Sequence, residues 1–203
     1  MKKNKISKNW LHKQKRDIYV RQSKAEGYRS RAVYKLKEIN EKFKILKNGI
    51  NIVDLGSAPG SWSQFVSRNF KKSKILSIDL NEMEKIENTF QITGDFTNEI
   101  QQKRITDYFG DKIDVVISDM AVNTTGNKNL DSLVTGELSI EALNFSTNSL
   151  KKQGSFISKI FMGSSFNEII KLAKKKFKEV YVFKPLASRK ESKENFIICK
   201  HLR

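Results

Sequence analysis

Residues 50–62 read INIVDLGSAPGSW, and few folds accommodate such a run. Ile50, Ile52, Val53 and Leu55 make a short β-branched-rich segment, the pattern of a parallel strand covered on both faces. Gly56 permits a sharp turn, Pro59 fixes one φ, and Gly60 lets backbone approach a ligand. Trp62 then opens a helix with Phe65 and Val66 on its apolar side. A central strand, a glycine turn and a helix are expected, with the remaining chain arranged around them.

Gly56, Ala58 and Ser61 stand where the dinucleotide fingerprint G-x-G-x-x-G would place its three glycines. Two of the three fail, and the methyl group of Ala58 obstructs the close approach that a pyrophosphate needs. No Gly-Lys-Ser/Thr follows, so a triphosphate loop is excluded as well. The ligand left is a nucleoside without phosphates, its ribose held by an acidic residue at the end of the next strand. Asp79, closing KILSID, fills that role. An ordinary tight βα turn is the competing reading of the same residues.

Further apolar runs predict strands near residues 74–79, 90–93, 113–118, 154–160, 179–183 and 196–199, and helical spacing predicts helices near 97–109, 137–151 and 165–177. This alternation implies an α/β fold with a mostly parallel seven-stranded sheet and helices on both faces. Residues 184–194 are too short and polar to hold a helix, so the last two strands should pair antiparallel. Before the central strand, Val33, Leu36, Ile39 and Phe43 recur at helical spacing, with Ser30 as a cap and Asn48-Gly49 as a stop. Residues 1–27 show no clear apolar period.

The charge is uneven. The chain has 203 residues and a net charge of +17, yet residues 1–47 alone carry 16 Lys or Arg against 4 Asp or Glu. Such concentration points to a polyanionic partner, and Trp10, Tyr19 and Tyr28 interleaved with the cations suit RNA, whose bases stack on aromatic rings. We expect a basic N-terminal arm over residues 1–29 and one domain over 30–203. Cys199 is the single cysteine, which excludes an internal disulfide, and His12 and His201 give no metal-ligand spacing with it. No apolar run reaches the length of a membrane span, and the basic start lacks the apolar segment of a secretory signal. A soluble, cytoplasmic protein is the expectation.

Ligands of such sheets bind beyond the carboxyl ends of the strands, which directs attention to Asp79, Asp95, Asp119 and Lys159. Each aspartate alone would be read as a loop cap. Lys159 is different, because Phe156, Ile157, Ile160 and Phe161 surround it and a lysine there faces desolvation unless it opens into a site.

Taken together, RSRAVYKL around Lys35, VDLGSAPGSWSQ, the Asp79 strand end, GDF at 94–96, SDMA at 118–121, SKIF around Lys159 and SRKESKENF through Glu194 resemble the FtsJ (RrmJ, RlmE) family of bacterial large-subunit ribosomal RNA 2′-O-methyltransferases. The resemblance spans nearly the whole chain. It implies a Rossmann-like methyltransferase sheet, S-adenosylmethionine as cofactor and a Lys, Asp, Lys, Glu catalytic set, which falls on Lys35, Asp119, Lys159 and Glu194. It also implies cofactor contacts from Gly56, Ala58, Pro59, Gly60, Trp62, Asp79, Asp95 and Asp119, with Asp79 on the ribose and Asp95 near the adenine. A uridine of 23S ribosomal RNA is the implied target, and a monomer without metal or membrane attachment the implied form. Two positions depart from the family pattern. Ser61 stands in place of a second glycine and should narrow the turn, and Val122 replaces a proline and should loosen the loop after Asp119.

A ribose 2′-hydroxyl is a weak acid and a weak nucleophile, so such an enzyme must align and deprotonate it. Lys159 is the implied base, with Lys35 as a neighbouring like charge, Asp119 orienting it, and Glu194 with Lys35 holding the target ribose. A tRNA 2′-O-methyltransferase would use the same four residues, and a non-catalytic RNA-binding assembly factor would need only the arm.

Overall fold

Covered on both faces, the residue 50–55 run becomes the centre of a seven-stranded sheet. The computed structural model describes residues 17–121 and 128–203, the side chains of 128–132 excepted. Trp10, His12 and Val122 thus lie outside the described residues. In chain order the elements are α1 (Ile18–Ala25), α2 (Val33–Phe43), β1 (Asn51–Leu55), α3 (Ser61–Asn69), β2 (Lys74–Asp79), β3 (Thr89–Thr93), α4 (Glu99–Phe109), β4 (Ile113–Ser118), α5 (Lys128–Ser149), β5 (Leu150–Phe161), α6 (Phe166–Lys176), β6 (Phe177–Phe183) and β7 (Glu194–Leu202).

The strand order is β3-β2-β1-β4-β5-β7-β6. All neighbours run parallel except at β7, which is antiparallel to both β5 and β6. The order switches between β1 and β4, where such sheets bind ligands. Reversing β7 matters as much as the switch. Its register pairs Glu194 with Phe161 and Phe196 with Lys159, so the first residue of β7 lies at the same sheet edge as the last residues of β1, β4 and β5.

Side-chain alternation divides the core into two layers. Val53, Leu55, Val116, Phe156, Ile160 and Ile197 face α4, α5 and α6. Ile52, Val115, Ile117, Ile157, Phe196 and Ile198 face α2 and α3, which contribute Val33, Leu36, Ile39, Trp62 and Val66. Each fully buried aliphatic or aromatic side chain contributes about 1.5–3 kcal/mol. Cys199 lies in the first layer, where burial pushes its thiol pKa up and leaves it a structural residue.

Four local expectations need correction. Residues 18–25 form α1, capped by the Asp17 carboxylate on the Tyr19 N–H, although the apolar period is weak. What stabilises α1 is docking: Asp17 pairs with Arg31 at 2.5 Å and Tyr19 packs on Tyr34 at 5.3 Å between ring centroids. Ser30 is not the N-cap of α2, which is Ala32; its hydroxyl accepts the Ala32 N–H at 3.2 Å just ahead of the helix and shares a 2.8 Å bond with the Ser61 hydroxyl. That bond draws Ser61 toward the N-terminal segment rather than into the turn. α2 ends at Lys44, left-handed with φ 51°, ahead of Asn48-Gly49, because the Asn40 side chain accepts the Leu46 N–H at 2.7 Å and turns the chain early. α5 begins at Lys128, well before residue 137. Gly136 weakens the helical signal there but is required by packing, since a Cβ on it would lie 2.5 Å from Ser165.

One buried residue of β1 breaks the apolar pattern. Asp54, 1% exposed, faces α3 and accepts the Ser63 hydroxyl at 2.6 Å, while Ser63 shares a 2.5 Å bond with Ser77 of β2. These bonds tie β1, β2 and α3 together beneath the glycine turn. Burial, the largest influence, raises the Asp54 carboxyl to about 7 against the lowering effect of the Ser63 bonds. The folded state therefore binds a proton more tightly than the unfolded chain, whose aspartate titrates near 4. The corresponding stability is fully present below about pH 4 and is lost as pH rises through 7. Asp54→Asn should cancel that slope: in urea titrations from pH 5 to pH 8 the wild type should lose stability relative to the variant, by up to about 3 kcal/mol. Parallel curves would place the proton elsewhere.

Candidate active site

Lys35 comes from the first turn of α2, Asp119 directly follows β4, Lys159 lies two residues before the end of β5, and Glu194 opens β7. The fold brings all four together. Lys35 Nζ lies 3.4 Å from both Asp119 carboxylate oxygens and 3.1 Å from the Glu194 carboxylate. Lys159 Nζ lies 3.1 Å from Asp119 Oδ1 and 2.5 Å from the Asp119 backbone carbonyl. Asp119 thus bridges two ammonium groups, and the quartet is charge-balanced.

This balance explains how the charges survive burial. Desolvation acts to lower the Lys35 pKa, but Asp119 and Glu194 outweigh it and the net shift is upward. Desolvation likewise acts to raise Asp119, and the charges of Lys159 and Lys35 overcome it and hold the carboxyl below its ordinary range. The Lys159 side chain is 8% exposed and that of Lys35 13%. Phe196 supplies a further cation–π contact to Lys35 at 5.6 Å.

Beside the quartet lies a cavity of about 600 Å³, opening at the carboxyl ends of β1, β2, β3 and β4. Gly56, Ala58, Asp79, Asp95, Asp119 and Lys159 all line it. Asp79 accepts the Ala58 N–H at 2.9 Å and the Asn81 N–H at 2.8 Å, fixing the turn to the end of β2. Asp95 is braced by the N–H and hydroxyl of Thr97. Against three carboxylates, Lys159 is the one cation among the described lining residues. Such a wall disfavours phosphates and fits a positively charged, phosphate-free nucleoside, whose sulfonium would sit well among carboxylates. Gly56, at φ 66°, has Met120 folded against it, and a Cβ there would lie 1.9 Å from the Met120 side chain.

Three expected contacts do not line this cavity: Pro59, Gly60 and Trp62. Trp62 is 2% exposed, donates its indole N–H to the Ala32 carbonyl at 2.8 Å and packs on Phe196 at 5.8 Å. An indole has an apolar body and one donor to satisfy, and the start of α2 meets both needs. Trp62 therefore supports the helix that carries Lys35. At Gly60 the close neighbours are protein, since a Cβ would lie 2.7 Å from Ile86 and 2.9 Å from the Arg29 guanidinium. Sequence reasoning passed over Phe96, Met120 and Leu138, which give the cavity its apolar wall, and Asp54, whose place inside an apolar strand was the available signal.

A Rossmann-like sheet with a reversed final strand, carrying an acidic cavity without a phosphate site, is the scaffold of S-adenosylmethionine-dependent methyltransferases. Within that class, the family model described as FtsJ-like methyltransferase matches residues 28–202, and the chain belongs to this family. It is 66% identical over the full length of both chains to the ribosomal RNA large subunit methyltransferase E of Pelagibacter ubique strain HTCC1062. Among solved structures it resembles a Plasmodium falciparum protein described as a ribosomal RNA methyltransferase, with 33% identity, a TM-score of 0.77, and coverage of 86% of this chain and 98% of that one. Human methyltransferase-like protein 13 in complex with SAH shares the fold alone, at 14% identity and a TM-score of 0.55, over 75% and 72% of the two chains.

Removing the bridging carboxylate should be costly. Asp119→Asn leaves the Lys159 ammonium without its carboxylate while Lys35 keeps Glu194, and urea unfolding should show a loss of about 3 kcal/mol, near the low end for a broken buried pair because the Asp119 side chain keeps 17% of its surface. Adding Lys159→Met, which removes the orphaned ammonium, should restore part of that loss. Additive losses would show that the charges are not coupled.

Proposed function

We propose that the protein transfers a methyl group from S-adenosylmethionine to the 2′-hydroxyl of a ribose in large-subunit ribosomal RNA, a uridine of 23S RNA, with Lys35, Asp119, Lys159 and Glu194 as its catalytic residues. The observation that carries this reading is that Asp119 and Lys159 belong to both the cavity wall and the four-charge cluster. They stand at the boundary between a nucleoside cavity and a second, charge-lined site. The name of the Pelagibacter relative supports the choice of substrate, as does the concentration of positive charge toward the N-terminus.

S-adenosylmethionine, when bound, supplies a methyl group already activated by its sulfonium. Asp79 and Asp95 would hold its ribose and adenine ends, with Gly56 and Ala58 providing backbone contacts. Lys159, in its amine form, accepts the 2′-hydroxyl proton at Nζ, and Asp119 keeps that nitrogen in place through both its carbonyl and its carboxylate. Lys35 and Glu194, bonded to each other, position the target ribose on the far side of Asp119. The protein works in this reading as a cytoplasmic monomer without a metal. No helix among the described residues is long and apolar enough to cross a membrane.

Lys159→Ala should bind S-adenosylhomocysteine and RNA yet lose about two to four orders of magnitude in single-turnover methyl transfer. Lys159→Arg should be no better, because a guanidinium keeps the charge but does not lose its proton near neutral pH. Near wild-type turnover by the arginine variant would assign Lys159 an electrostatic role instead. Mapping which 2′-O-methyl group disappears from ribosomal RNA on gene deletion tests the substrate.

The arm generates a separate expectation. Residues 1–16 carry seven Lys or Arg and no Asp or Glu, whereas α1 is docked on the domain. Deleting residues 1–16 should weaken RNA binding and flatten its logarithmic salt slope by roughly 0.7–0.9 for each phosphate the arm would otherwise neutralise, with cofactor binding unchanged. An unchanged slope in filter-binding titrations would remove the arm from the RNA interface.

A further inference from the structure

We infer that Arg29 is a positioning residue that ties the outer wall of the cofactor cavity to the N-terminal segment, so that RNA binding and cofactor affinity are linked through it. The inference rests on the cofactor and RNA assignments above. Residues 81–88, between β2 and β3, form neither helix nor strand. They begin at Asn81, a cavity-lining residue bonded to Asp79, and their shape is set by side chains from elsewhere.

Arg29 is the main one. Its Nη1 donates to the carbonyls of Pro59 at 3.0 Å and Glu84 at 2.9 Å, and its Nη2 donates to the carbonyl of Lys85 at 3.0 Å. A single guanidinium thereby joins the glycine turn to the 81–88 segment, and its side chain is only 17% exposed. Its neighbour Gly60 is left-handed at φ 99°, and a Cβ there would meet the Arg29 Nη1 at 2.9 Å. From the other side, Gln91 of β3 donates to the Glu84 carbonyl at 3.1 Å and accepts the Ile86 N–H at 2.7 Å. Arg29 holds the segment from the N-terminal side and Gln91 from the sheet.

The backbone around Arg29 is equally committed. Gln64 of α3 accepts the Arg29 N–H and donates to the Gly27 carbonyl, both at 3.1 Å. Arg68 donates to the Glu26 and Gly27 carbonyls. Residues 26–30 are thus bonded along the helix behind the cofactor turn. They are preceded by α1 and followed, six residues beyond Arg29, by Lys35. RNA that binds the arm or engages Lys35 acts on this segment, and Arg29 is its direct connection to the cavity wall. With three of its five N–H donors on backbone carbonyls and its side chain largely buried, Arg29 is committed to the protein backbone rather than held out toward a phosphate. Lysine cannot replace it, because a point ammonium lacks the planar fork that spans two strands of backbone.

Calorimetric titration of full-length protein with S-adenosylhomocysteine, alone and saturated with transcribed 23S ribosomal RNA, tests this. The wild type should bind S-adenosylhomocysteine at least about fivefold tighter with RNA present, and linkage requires the reciprocal gain in RNA affinity. Arg29→Lys should weaken S-adenosylhomocysteine binding about tenfold and bring the coupling factor close to one, with RNA affinity in the absence of cofactor and its salt slope unchanged. Gln91→Ala, which loosens the same segment from the sheet side, should weaken cofactor binding but keep the coupling. The inference is overturned if the wild type shows no coupling, if Arg29→Lys retains it, if Gln91→Ala loses it equally, or if Arg29→Lys lowers the salt slope by about one and so acts as a phosphate contact. A wild type that binds no S-adenosylhomocysteine would reject the cofactor assignment together with this inference.

Discussion

Two buried lysines share one carboxylate, and much of the architecture exists to make that arrangement stable. An ammonium group taken out of water without a partner is prohibitive, and two of them close together are worse. Asp119 answers both, with Glu194 as a second anion on the Lys35 side. The four residues come from α2, the end of β4, β5 and the start of β7, so their alignment requires the whole sheet to be correctly ordered. No local segment assembles this site.

The reversal of β7 is the topological device that completes the site. In an all-parallel sheet the start of a strand lies at the edge opposite the ligand. Running β7 backwards between β5 and β6 brings Glu194 to the ligand edge and lays Phe196 beside Lys159 in the register, where its ring also contacts Lys35 and Trp62. The α2 and α3 side of the sheet thereby serves the site twice. It carries Lys35, and it buries the indole that fixes the helix on which Lys35 rides.

The sheet was legible because its strands are continuous apolar runs and its helices keep a 3.6-residue period. The antiparallel pairing of the last two strands followed from a connection too short for a helix. The insertion of β7 beside β5 did not, since strand order is set by long-range packing. Charged strand-end residues marked Asp79, Asp95, Asp119 and Lys159, whereas Lys35 and Glu194 came from the family resemblance. Gly60, read from the turn, and Trp62, carried over from the family resemblance, do not line the cavity: Ala32, Arg29 and Ile86 are the neighbours they meet. The helix α1 was hidden because an ion pair and an aromatic contact, rather than its own amphipathicity, hold it in place.

The insertion of β7 has a consequence for how the chain acquires its shape during synthesis. Among the described residues β6 pairs only with β7, so after residues 177–183 have emerged no described strand is there for them to join until residues 194–202 follow. Until then the half of the sheet beyond β5 is an open edge, and the Lys159 ammonium lacks the strand that will cover it. Pairings that wait on a later segment form slowly and expose edges to neighbouring chains. Lys178 and Lys184, exposed on and just beyond β6, place charge along that waiting edge, which is how strands resist pairing with the wrong partner. Translation itself thus withholds the completed charge cluster until Glu194 and the strand it opens have been made.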